Sequence, residues 1–152
     1  MAFIKKFQQA IKDTISLSEI RETLVTNLAK FVEETQPQKV GFVAGAITAP
    51  TIEEINQNRA RLVRFASHLN KQHPDCFFFS SADIFTDNVR ERINSSQVSH
   101  EQWMDYWRTI LNANLITDLF LTPGWKKSAG TRDEHKTAKT IGLNIHQLNY
   151  EV

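Results

Sequence analysis

The chain has 152 residues, a length that suits one domain with one sizeable core. Its apolar content of 41% and charged content of 23% exclude a disordered segment, and a net charge of +1 gives no bulk attraction to nucleic acid or an acidic membrane. A single cysteine, Cys76, excludes an intramolecular disulfide and fits a reducing cytoplasm; inside an apolar run it reads as a small buried hydrophobe. The five histidines lack metal-site spacing, so neither a structural metal nor a cofactor is expected. No apolar stretch approaches the roughly 20 residues that span a bilayer, so no membrane partner is expected.

The N-terminus, Met1-Ala2-Phe3-Ile4-Lys5-Lys6, begins an amphipathic segment without the long apolar run of a signal peptide. Helix is predicted from Phe3 to about Thr35, with a break at the capping-box sequence Ser16-Leu17-Ser18-Glu19. Residues 1–36 are read as a helical extension and 37–152 as an α/β domain. Val40-Gly41-Phe42-Val43-Ala44 is too continuously apolar for a sheet with one wet face, so it is predicted to be a central parallel strand. Thr51, with Glu54 three residues on, caps a helix to about Lys71 whose apolar face holds Ile55, Leu62, Ala66 and Leu69.

Cys76-Phe77-Phe78-Phe79 is the second strand. A polar stretch from Ser80 to Ser99 follows, with a short helix near Asp87 to Ile93; a loop of that length is often functional. His100 to Asn114 is helical, with a stripe of Trp103, Met104, Trp107, Ile110 and Leu111. Asp118 to Thr122 is the third strand, Ala129 to Ile141 a helix stopped by Gly142, and Asn144 to Leu148 the last strand. This alternation predicts a flavodoxin-like or Rossmann-like α/β fold: a parallel sheet of four or five strands with helices on both faces.

The loop Pro123-Gly124-Trp125-Lys126-Lys127-Ser128-Ala129-Gly130-Thr131 joins a strand end to a helix start, where open α/β sheets bind ligands and where backbone N–H groups suit an anion. Gly130, Glu134, Ala138 and Ile141 share one helix face, so Glu134 is a carboxylate on the stripe that packs on the sheet. Such a group can act as nucleophile or general base; its bland alternative is a rim glutamate in a salt bridge. Ser128 caps the helix and can hold a phosphate or sugar hydroxyl with the same donors. Arg59 and Arg108 interrupt apolar faces and either snorkel to solvent or meet an acidic ligand. Trp125, in the loop, can cover a planar ligand such as a nucleobase. Asp118 opens the third strand as a functional carboxylate or merely a polar start.

Two blocks of residues resemble the nucleoside 2-deoxyribosyltransferase-like superfamily, closest to its small bacterial and phage branch. The first is Val43-Ala44-Gly45-Ala46-Ile47-Thr48 with Asn58-Arg59. The second is Trp103, Tyr106-Trp107-Arg108, then Asp118 through Pro123-Gly124-Trp125, Ser128, Gly130-Thr131, Glu134 and Ala138. The likeness covers roughly residues 39–148. It implies cleavage or exchange of N-glycosidic bonds in a small-molecule nucleoside or nucleotide; a nucleic-acid partner is not expected from the net charge. It further implies Glu134 attacking the anomeric carbon, Asp118 near the departing base, and Ser128 and Gly130 on a 5′-phosphate. Gly45, with Ile47 in the same loop, would admit the sugar, and related domains assemble as homo-oligomers. Gly45-Ala46 stands where the family usually has Gly-Pro, and Ser128-Ala129 where transferases carry an aspartate. His135 and Lys136 follow Glu134 where the family has small residues, and the three departures favour a hydrolase or a nucleotide-binding protein, the non-catalytic alternative being a nucleotide- or ADP-ribose-type binding module. A more distant likeness, Pro123-Gly124 with Gly130-Thr131 and Glu134, is to cytokinin-activating phosphoribohydrolases, whose spacing is shorter.

Overall fold

The run Val40–Ala44 forms β1, every residue of it buried. Its neighbours are β2 (Phe77–Ser80), β3 (Asp118–Leu121) and β4 (Asn144–Gln147), ordered β2-β1-β3-β4 and parallel throughout. The computed structural model describes residues 2–152; Met1, the first residue of the expected amphipathic start, lies outside the described residues. The helices are α1 (Ala2–Ala10), α2 (Leu17–Thr35), α3 (Ile52–Gln72), α4 (Ser81–Ile84), α5 (Asp87–Arg92), α6 (His100–Leu111) and α7 (Ala129–Ile141).

Side-chain alternation along the strands divides the interior in two. On one face Phe42, Phe77, Phe79, Leu119 and Leu121 pack with α1, α2, α6 and α7. On the other, Val43, Phe78 and Phe120 pack with Leu62, Phe65 and Leu69 of α3. The architecture is therefore an α/β layered fold with the strand order of the flavodoxin type. A sheet covered on both faces is why β1 reads as an uninterrupted apolar run. Thr51 and Glu54 form a reciprocal capping box on α3, and Ser16 caps α2 at the expected break.

The N-terminal helices share the larger core. Phe3, Phe7 and Ile11 are buried there, and the Phe3 ring meets Phe77 edge-on at 5.1 Å. Polar contacts add to this. Gln8 Nε2 donates to the Asp83 carbonyl at 2.9 Å, and Arg92 donates to the carbonyls of Ile11 and Thr14 at 2.5 and 3.2 Å. The C-terminal end of α1 thus holds the segment 81–92 in place, an arginine on helix-end carbonyls being a favoured arrangement.

Three local expectations change. The stretch 80–99 holds α4, α5 and a 3₁₀ turn at Ser95–Gln97 rather than one short helix. Cys76 is half-buried just before β2, its thiol 3.6 Å from the Asp75 carboxylate, because the strand begins one residue later than expected. Ile141 is exposed, since it lies with Lys136, Thr137 and Thr140 beside a shallow depression between α6 and α7 and not in the core. Among the described residues no helix is long and apolar enough to cross a membrane.

Candidate functional site

In this strand order the connections leaving β1 and β3 diverge to opposite sides, and a crevice forms between them at the carboxyl ends of the strands. A cleft of about 500 Å³ lies there. Its floor is Phe42, Ala44 and Gly45 of β1 and the loop after it. One wall is the start of α7; the other is built from α4, α5 and α6.

Glu134 lines this cleft from the second turn of α7, on the same side as Gly130 and Thr131. No hydrogen bond or ion pair joins its carboxyl group to another described residue. Burial, and secondarily the neighbouring charge of Asp133, push its pKa up to about 8. The positive end of the α7 dipole opposes that rise without cancelling it. Asp133 points elsewhere. It accepts two hydrogen bonds from Arg108, at 2.7 and 2.8 Å, and Arg108 also reaches Glu101 at 2.9 Å.

The entrance of α7 is built as its sequence suggests. Ser128 is the N-cap, its Oγ accepting from the Thr131 N–H at 3.2 Å. Ala129 and Gly130 begin the helix, so their N–H groups have no carbonyl one turn back to bond. The two cleft glycines differ in kind. A β-carbon on Gly45 would lie 2.0 Å from the Thr122 hydroxyl, so tight packing between two strand ends demands glycine there. A β-carbon on Gly130 would meet only Ser128 Oγ, at 3.9 Å. Nothing within the fold requires glycine at 130; its bareness keeps open space in the cleft.

The far wall is cationic and aromatic. Arg59, buried on α3, donates to the Phe85 carbonyl and to Asp87, which anchors the start of α5. Arg90 on α5 lines the cleft; burial first, then the charge of Arg59, lower its pKa, with Asp87 opposing. Trp103 and Trp107 of α6 close the top, fixed by Phe85 edge-on at 4.8 and 5.9 Å and, for Trp107, by Phe42 at 4.8 Å.

Of the residues expected in the site, Gly45, Ile47, Arg59, Ser128, Gly130 and Glu134 converge on the cleft. Three do not. Asp118 sits at the amino end of β3, roughly 10 Å of strand away from the carboxyl end. It is buried beside His146 at 2.7 Å and Thr117 at 2.5 Å, with Lys39 3.8 Å off. A carboxylate there ties β3 to β4 at the opposite end of the sheet from the cleft. Trp125 is buried against His135, ring centres 4.7 Å apart, because Gly124 in the left-handed region (φ 81°) turns the loop inward. Arg108 clamps α6 to α7 on their outer side, above a shallow depression separate from the cleft.

Sequence reasoning missed Arg90, His100, Trp103 and Trp107 as cleft residues. The signal available was the long polar stretch before α6. Among the described residues no group of three or more His, Cys, Asp or Glu side chains is placed to hold a metal ion. Comparison with models of protein families, with curated proteins and with solved structures found no match.

Proposed function

We propose that the cleft binds a nucleoside or nucleoside 5′-monophosphate and that Glu134 cleaves its N-glycosidic bond. The observation that carries this reading is the unpartnered Glu134 carboxyl group in the cleft, beside the open space over Gly130. A carboxylate already held by an arginine would be a poor nucleophile; this one is not held. The ionised oxygen attacks the anomeric carbon as the C–N bond breaks and its electron pair leaves on the base nitrogen. The transition state resembles an oxocarbenium ion, which an adjacent carboxylate stabilises. Water then adds at the same carbon, losing one proton to solvent and displacing the Glu134 carboxylate, to give the free sugar or its 5-phosphate, while the departed base takes up a proton from solvent. The N–H groups opening α7, with Ser128 and Thr131, suit a 5′-phosphate. The resemblance to the nucleoside 2-deoxyribosyltransferase-like superfamily points the same way. Ser128-Ala129 in place of a transferase aspartate favours water over a second base as acceptor.

Incubation with a panel of nucleosides and nucleoside 5′-monophosphates, followed by chromatography, tests the proposal. Release of free base from at least one member, without base exchange, is expected; no release from any member contradicts it. A second reading, a nucleotide- or ADP-ribose-type binding module, has one observation in its favour. With a pKa of about 8, Glu134 is mostly protonated at neutral pH and then has no nucleophilic oxygen. That reading predicts saturable calorimetric binding with no turnover at any pH.

A further inference from the structure

Arg90 is a half-buried guanidinium in the cleft wall that the fold leaves unused. It makes no hydrogen bond and no ion pair with any described residue. Its neighbour Arg59, by contrast, donates to Asp87 and to the Phe85 carbonyl. The carboxylate near both guanidiniums, Asp87, is bonded to Arg59 and not to Arg90. A planar fork of N–H donors held partly out of water, with no protein acceptor, is suited to acceptors on a ligand.

The position of Arg90 says which part of a ligand it meets. The α7 entrance follows β3, whereas α5 lies beyond β2, with β1 between them. Two strand spacings, about 10 Å, separate the ends. A nucleotide whose phosphate rests on Ser128 and whose sugar lies over Glu134 brings its base to Trp103 and Arg90. Trp103, partly exposed, offers apolar surface to a ring with the buried Trp107 behind it, and Arg90 offers its donors to the ring's edge.

Resting on the function proposed above, we infer that Arg90 is the base-reading residue and that the cleft selects 6-oxopurine nucleotides. The arginine fork matches the paired O6 and N7 acceptors of guanine or hypoxanthine. Adenine presents an amino group in place of O6, and two donors then face each other. The same contact serves the chemistry. When the bond from the sugar to N9 breaks, negative charge spreads over the purine toward N7 and O6, where a fixed guanidinium stabilises it.

Calorimetric titration of the protein with inosine, guanosine, adenosine and cytidine 5′-monophosphates tests the inference. The wild type is expected to bind the inosine and guanosine nucleotides about tenfold or more tightly than the other two. Arg90→Ala is expected to erase that preference by weakening the oxopurines while adenosine monophosphate binds as before. Arg90→Lys, which keeps the charge without the planar fork, should lose the preference too; thermal melting checks that both variants fold. Wild-type preference for adenosine or cytidine monophosphate overturns the inference, as does equal weakening of all four nucleotides by Arg90→Ala. Those outcomes leave nucleotide binding standing. No binding of any nucleotide by the wild type removes the reading of the cleft, and this inference with it.

Discussion

The Glu134 carboxyl group costs the fold stability at neutral and alkaline pH. Its pKa in the folded chain, about 8, lies above the ordinary 4.5, so the folded state keeps a proton that the unfolded state has released. Stability from this group therefore falls as pH rises from about 4.5 to about 8 and is level beyond. Water in the open cleft screens part of the effect, leaving roughly 2 kcal/mol. Glu134→Gln should accordingly raise Tm by about 5 °C at pH 9 and leave it unchanged near pH 4. Melting curves that shift equally at both pH values would contradict the account. The two glycines make a second comparison. Gly45→Ala forces a β-carbon against Thr122 and should destabilise the protein by about 2 kcal/mol. Gly130→Ala fills only cleft space, so melting should hardly change while nucleotide affinity falls. Equal melting temperatures for the two variants would contradict this assignment.

Among elements, α7 and the segment 81–92 matter most, since they face each other across the cleft. The Arg108 clamp fixes α6 to α7 and neutralises Asp133, the charge that adds to the rise in the Glu134 pKa. Arg108→Gln leaves Asp133 unpaired beside Glu134 and should move the rising limb of the pH–rate profile to higher pH. An unmoved limb with slower turnover would instead mark Arg108 as a purely structural tie. The legibility of these elements was uneven. Glu134 was readable because helical spacing from Gly130 to Ala138 fixes a face, and β1 because five consecutive buried residues demand two covered faces. Asp118 was a site candidate on the resemblance alone; as the first residue of β3 it sits at the amino end of the sheet, away from the carboxyl ends where the cleft forms. Trp125 misled because its burial depends on His135 and on the left-handed turn at Gly124. Arg90 was invisible because its place is set by contacts far along the chain, Arg92 with Ile11 and Thr14 and Asp87 with Arg59.

For the molecule as a whole, those long-range contacts give the N-terminal helices a role. By filling the larger core and bonding to Asp83 and Arg92, α1 holds the cationic wall at its distance from α7. The sheet supplies a fixed floor, and two separately anchored walls define what fits between them. Between those walls the proposed function requires chemistry, and not only binding, at Glu134. Single-turnover base release by Glu134→Gln, beside the wild type on whichever nucleotide the panel identifies, tests it most directly. Release is expected to fall by a factor of about 1,000 or more while the nucleotide still binds. Base release undiminished in Glu134→Gln would contradict it.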